Sequence, residues 1–318
     1  MIFLLKKILI AFITLFLVSI LCFLFFSVIK GDPASVLGGI DITSEQLRLT
    51  REEMGLNRGI FTRYFEWLKN FITGNPGESY YFRGTPIAEL ISQRLPVTLT
   101  LSLMSLVLII IISFSVSLLT VKKEGSVIDG IINFFTAAGL STPGFFLGLL
   151  FIFIFGFTFK LFIPGHYIDY SENFAGFIGC LIPASFAIAI PSSAILIKFL
   201  RSSLFNELQS DYVRTAKSKG ASWLYIMRRH VIKNACLPSV TMLGMITAEI
   251  FSGSVIIEQV FSIHGMGRLL IAAISSRDYP LIQAIMIYIA FLTVCANTLA
   301  DITNMIIDPR IKLKGKVR

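Results

Sequence analysis

Glu249 is the residue whose type and setting most demand a chemical explanation. It stands inside an apolar run, with Ser252, Gly253 and Ser254 about one helical turn further on. A carboxylate near the middle of a bilayer costs about 2.5–3.5 kcal/mol on insertion scales, so it has to face a cavity, a polar partner or a pathway. Either it guides a cargo, or it bonds a Ser, Thr or Asn of a neighbouring helix. Glu258, in the same run, falls at its outer edge, where water solvates it more easily. Prolines mark other apolar runs: Pro143 within Thr142-Pro143-Gly144, then Pro183 and Pro191. A proline inside a membrane helix frees a carbonyl and kinks the chain, which serves a pathway or helix packing.

Other kinds of chemistry are missing. The sequence has no Gly-x-x-x-x-Gly-Lys-Ser/Thr phosphate loop, so the chain is not expected to hydrolyse ATP. It also has no HExxH and no GxSxG. His166, His230 and His264 fall in loops on different sides of the membrane and form no common site. Cys22, Cys180 and Cys295 lie in apolar runs and Cys236 beside one, with no CxxC pair, so they read as packing residues. No catalytic residue, metal site or cofactor is expected. An intramembrane hydrolase using Glu249 or Ser252 is a distant alternative. So is a secondary carrier, which often shows an inverted repeat; the two halves of this sequence show none. A requirement for ATP separates a driven transporter from a carrier.

The elements that must position these residues follow from hydropathy. The chain has 318 residues, 55% hydrophobic and 15% charged, against about 25% charged in a soluble domain. It is read as an all-α polytopic membrane protein. Spans are expected at 1–30 and at about 97–121, 131–158, 177–199, 239–259 and 282–306. Lys6-Lys7, Lys122-Lys123, the loop 200–236 and the tail 307–318 are densely basic. Basic loops stay inside, which gives six spans with both termini cytoplasmic. The net charge of +9 is thereby explained without nucleic acid. Residues 31–96 form an extracytoplasmic loop, with Thr43-Ser44-Glu45-Gln46 opening a short helix that ends near Gly55. Residues 97–306 form the core.

The basic loop is patterned. Phe205, Leu208, Tyr212 and Ala216 recur at helical spacing, which predicts a helix over 205–220 ended by Gly220. A second amphipathic run places Trp223, Leu224, Met227 and Val231 on one side, and Pro238 opens the next span. Two short amphipathic helices between spans make a docking surface for a partner.

Arg214-Thr215-Ala216, then Gly220, then Leu237-Pro238 resemble the cytoplasmic motif of ABC importer permeases: Glu-Ala-Ala, three residues, Gly, and later Leu-Pro. Arg for Glu and the longer gap to Leu-Pro are typical of the dipeptide, oligopeptide and nickel branch. Other stretches resemble the same branch in order: Gly31-Asp32-Pro33-Ala34, the run Arg94 to Leu103, Glu258-x-x-Phe261-Ser262, Gly265-x-Gly267, Arg277-Asp278-Tyr279-Pro280 and Asp308-Pro309-Arg310. The resemblance implies a permease of a bacterial inner membrane, surrounded by lipid. Its partners would be a second homologous permease, two ATPase subunits and an extracytoplasmic binding protein. Tyr212, Arg214, Thr215, Ala216 and Gly220 would couple to the ATPases, and Glu249, Ser252, Gly253 and Pro143 would line the path. Glu249 tilts the expected cargo toward chelated nickel, with di- or oligopeptides as the alternative.

Overall fold

The computed structural model describes residues 2–28, 43–53, 57–82 and 84–307. The Gly31-Asp32-Pro33-Ala34 turn and the basic tail with Asp308-Pro309-Arg310 lie outside the described residues. Among the described residues the chain is helical, with one isolated antiparallel bridge, Glu78 to Pro86, and no strand. Helix α1 (Ile2–Val28) is followed by two short helices, α2 (Ser44–Glu53) and α3 (Ile60–Ile72). The start of α2 is a capping box: Gln46 N donates to Thr43 Oγ1 at 3.3 Å, and Thr43 N donates to Gln46 Oε1 at 3.1 Å. The core is built from α4 (Ile87–Lys122), α5 (Val127–Ser141), α6 (Gly144–Phe151, continued by a π-helical turn to Thr158) and α7 (Phe174–Leu208). Then come α8 (Asp211–Ser218), α9 (Trp223–Ile226), α10 (Ile232–Val260), α11 (Met266–Ser275) and α12 (Tyr279–Ile307).

The tightest pair is α4 with α7, and small residues explain it. Ser105, Ser113 and Ser117 are fully buried on α4, facing Ala184, Ala187 and Ser193 of α7. Ser113 Oγ reaches the Ser193 carbonyl at 3.3 Å and Ser117 Oγ the Ile197 carbonyl at 3.4 Å. In a membrane such bonds average about 0.6 kcal/mol, so close backbone approach, which maximises van der Waals contact, is the larger effect. Leu101, Ile109, Leu181, Leu196, Ile246 and Ile250 complete a central core shared by α4, α7 and α10. Helix α4 begins at Ile87, ahead of the apolar run that opens at Val97, and carries Pro96 within it. Its polar first turns hold because Ile87, Leu90 and Ile91 pack on α11 and α12 through Leu269, Ala273 and Leu281.

Among the described residues five helices are long and apolar enough to cross a membrane, and α5 with α6 form a sixth candidate bent by 106° at the Thr142-Pro143 break. Their contacts show a crossing rather than a hairpin. Asp129 at the start of α5 pairs with Arg201 near the end of α7, at 2.8 Å. Further on, a Cβ at Gly139 would stand 3.2 Å from Ala194 Cβ, one at Gly144 3.4 Å from the Ala187 carbonyl, and one at Gly148 3.1 Å from Phe261. The broken segment therefore climbs α7 from the basic end to the opposite end. Where a proline kink within one span was expected at Pro143, the chain breaks into two helices, and the bend is far sharper than a proline kink.

Two expectations for the basic loop need correction. The helix expected over 205–220 is two helices, because the chain turns at Gln209-Ser210, where Ser210 Oγ donates back to the Glu207 carbonyl at 2.5 Å. Pro238 does not open the fifth span. It lies inside α10, which runs on from α9 through a π-helical turn at Met227–Val231.

Candidate functional site

At the basic end, α8 and α9 are fastened to the span ends by one apolar cluster. Val213 is 0% exposed and packs with Val121, Leu200, Leu204, Met227, Val231 and Ala235. Ala216 leans on the same cluster. Tyr212, expected on the packed face, is instead exposed, and the buried residue is its neighbour Val213. The break at Ser210 rotates α8 relative to α7, which moves the inward face by one position. The Tyr212 hydroxyl bonds Glu207 and takes a 3.2 Å hydrogen bond from Asn234 Nδ2. Partial burial, and then the Glu207 bond, raise the Tyr212 phenol above its ordinary range. Arg214 and Thr215 are exposed. Helix α8 closes with a Schellman motif: Ala221 N donates to the Ala216 carbonyl at 3.1 Å and Gly220 N to the Lys217 carbonyl at 3.0 Å. Gly220 has φ +77°, as its place after the helix requires. On α9 and the π-helical turn that follows it the buried residues are Ile226, Met227 and Val231, whereas Trp223 and Leu224, expected beside them, are exposed. They occupy the first turn, beyond the rim of the cluster.

Midway along α10, Glu249 is exposed and lines a cavity of about 200 Å³ with Gly253, Gly144, Phe145, Pro191 and Ile250. Three irregularities meet here: the start of α6 after Pro143, the Pro191 kink of α7, and Glu249. Pro191 deprives the Ala187 carbonyl of its helical donor, and Gly144 stands over that oxygen. Ser252 is not among the lining residues, and its hydroxyl donates to the Glu249 carbonyl at 3.0 Å. No neighbour within 4 Å would meet a Cβ at Gly253. Four expected path residues thus separate: Glu249 and Gly253 share the cavity, Pro143 abuts it, and Ser252 is outside it.

The opposite end holds two carboxylates whose roles the sequence did not disclose. Glu258, expected at a solvated edge, is 0% exposed. Its Oε1 accepts from Thr98 Oγ1 at 2.7 Å, and its Oε2 accepts from Gly267 N at 2.7 Å and Arg268 N at 3.1 Å. Thr98 Oγ1 in turn accepts from Met266 N at 2.8 Å. The first three N–H groups of α11, at the positive end of the helix dipole, are thereby satisfied. Cβ atoms at Gly265 and Gly267 would stand 2.5 Å from the Glu258 carboxyl carbon and 2.4 Å from Val255 Cα. The Gly-x-Gly spacing next to Glu258 was the available signal. Asp278 is equally buried and accepts from Ser79 Oγ at 2.5 Å, Tyr81 N at 3.1 Å and Leu281 N at 3.3 Å, tying the outer loop to the start of α12. Among the described residues no group of three or more His, Cys, Asp or Glu could hold a metal ion.

Comparison with known proteins agrees with this architecture. Residues 118–313 match the family described as the binding-protein-dependent transport system inner membrane component, and residues 1–103 match its N-terminal region. The oligopeptide transport system permease protein AppB of Bacillus subtilis is 34% identical over 297 residues, covering 93% of this chain and 94% of its own. The dipeptide transport system permease protein DppB of Lactococcus lactis is 30% identical over 311 residues, 98% and 99% of the two chains. The glutathione transport system permease protein GsiC of Shigella boydii is 30% identical over 301 residues, 95% of each. Matched along nearly its whole length, with six candidate crossings, the chain belongs to the inner membrane components of binding-protein-dependent transport systems and is a multi-pass permease subunit of an ABC importer, not an enzyme.

Proposed function

We propose that this chain is one of two permease subunits that together form the path of a short-peptide importer. A binding protein delivers cargo at the Glu258 end, and two separate ATPases dock on the α8–α9 surfaces, one per permease. Both termini are cytoplasmic. The observation that carries the reading is the exposed Glu249 beside the cavity where α6, α7 and α10 are irregular. A carboxylate at that depth is too costly to leave against lipid, so a second permease covers it and the cavity becomes part of a shared path. The lean toward nickel rested chiefly on Glu249. The relatives named above are permeases of oligopeptide, dipeptide and glutathione systems, and an acidic group suits the ammonium end of a peptide equally well. Mechanically, ATP-driven closure moves α8, and the buried Val213 transmits that motion to the ends of α4, α7 and α10.

Uptake of labelled di- and tripeptides by cells carrying the whole transporter tests this. Glu249→Gln should lower peptide uptake about tenfold or more, equivalent to about 1.4 kcal/mol, while assembly and ATP hydrolysis persist. Unchanged uptake in Glu249→Gln, with Glu249→Leu failing to assemble, would make Glu249 a packing residue. Nickel uptake without peptide uptake would refute the cargo assignment.

A further inference from the structure

Helix α3 uses only part of its apolar side inside the protein. The Tyr64 hydroxyl shares a 2.8 Å hydrogen bond with Ser19 Oγ, and the Tyr64 and Trp67 rings lie 5.4 and 5.7 Å from Phe23. Phe71 lies 5.4 Å from Tyr288 of α12. The rest of the apolar side faces outward. Phe61, Phe65 and Ile72 are 78%, 59% and 75% exposed, and with Leu68 they recur every three or four residues, so they form one stripe. Such a stripe, on an element expected in an aqueous outer loop, requires a partner.

Depth identifies the partner. Phe23 and Ser19 lie within the span Leu5–Ser27, about 6 and 12 Å below Ser27 at the helical rise per residue. Tyr288 lies about 13 Å along α12 from its start at Tyr279. The hydrocarbon of one leaflet is about 15 Å thick, so these contacts hold α3 within that layer. Continuity gives the same answer. Leu68, Phe71 and Ile72 line an apolar groove of about 370 Å³ together with Phe12 and Phe16 of α1 and Phe291 of α12. Those three phenylalanines are exposed on spans, so the stripe borders the same medium as they do. The other flank of α3 is polar: Arg63, Glu66 and Asn70 line a separate cavity, of about 580 Å³, toward Ser27 and Tyr279. Lys69 is exposed, and its long stem lets the ammonium reach the headgroups. Polar toward the membrane surface and apolar toward its centre, α3 has the orientation of an amphipathic helix sunk about 5–10 Å into a bilayer.

We propose that α3 is an interfacial helix laid in the outer leaflet, with its Phe61, Phe65, Leu68 and Ile72 stripe packed by lipid acyl chains. The choice of the outer leaflet rests on the topology proposed above; the depth of α3 does not. The segment 31–96 is then not wholly an aqueous loop. The Glu249 cavity is lined from α6, α7 and α10 and the groove from α1, α3 and α12. A second permease covering the first therefore leaves the second to lipid.

The assembled transporter in nanodiscs of phosphatidylethanolamine and phosphatidylglycerol tests this. Both faces of a nanodisc meet every reagent, so the result reads depth and is unaffected if the topology is reversed. An apolar aryl diazirine, dissolved in the bilayer and photolysed, should leave adducts on wild-type Phe61, Phe65 and Ile72 as densely as on Phe12 and Phe291. Adducts on Phe12 and Phe291 but none on α3 would put α3 in water and overturn the proposal. Adducts on neither set would show that another subunit covers the groove, which overturns it too. A pair of substitutions gives a second reading. Ile72→Asp places a carboxylate at a position that is 75% exposed, harmless in water but costly among acyl chains. It should raise the rate of tryptic cleavage after Arg63 about tenfold. Asn70→Asp, on the polar flank, should leave that rate unchanged. Equal cleavage in the two variants would refute the insertion of α3.

Discussion

Thr98 and Glu258 show how one pair of side chains can set the placement of a whole outer element. Thr98 donates to Glu258 and accepts from Met266 N, while Glu258 takes the next two amides. Thr98→Val keeps the shape but strands Met266 N–H in a dry site. The expected cost is about 1–3 kcal/mol, read as a lowered melting midpoint of the purified protein. Gly267→Ala attacks the same device sterically, since its Cβ would meet Val255 Cα at 2.4 Å. Overpacking of this kind costs about 1–3 kcal/mol. A melting midpoint unchanged in both variants would show that α11 is held by other contacts. Glu249 contrasts with Glu258: the latter's carboxyl group is bonded and buried, whereas Glu249 is exposed beside a cavity.

At the scale of elements, α8 is a short helix plugged into the bundle by one side chain. Val213→Asp would put a carboxylate among Leu200, Leu204 and Val231. It should leave the spans inserted but uncouple the ATPases, so that peptide no longer stimulates ATP hydrolysis in the assembled transporter. Retained stimulation would remove Val213 from the coupling path. Gly220→Ala should cost about 1–2 kcal/mol, because φ of +77° is strained for any residue with a Cβ. Faster proteolysis near Lys217 and Lys219 is the readout. The broken segment α5–α6 is a second mechanical element. Its bend of 106° leaves Gly144 against a carbonyl of α7 that lacks its helical partner, a junction with few hydrogen bonds to break when the halves move.

For the molecule as a whole, the contacts place the start of α1 and the end of α12 together, through Lys7 and Asp301 at 2.5 Å. The end of α4, the end of α7, and α8 share the inner cluster. An even number of crossings follows, and basic residues mark one end. A reporter fused after Lys69 should be active only outside the cytoplasm and one after Ser218 only inside it. Both reporters on one side would refute the six-crossing topology.

The sequence by itself determined helicity, the crossings, the basic end and the Gly220 stop. These depend on local properties: a run of apolar residues long enough for a bilayer, a lysine or arginine beside it, a glycine where φ must be positive. It placed Glu249 in a span and Pro143 inside one for the same reason, but not the break into two helices at Pro143. It did not reveal that Val213 rather than Tyr212 faces inward, because a single serine hydroxyl at Ser210 changes the rotation of α8 relative to α7. Nor did it reveal that Glu258 is buried and fully bonded, because Thr98 lies 160 positions away. Periodicity assigns a residue to a face, but only tertiary packing decides which distant side chains meet that face. The burial of an acidic side chain is therefore settled by the fold and not by the residue's neighbours in the chain.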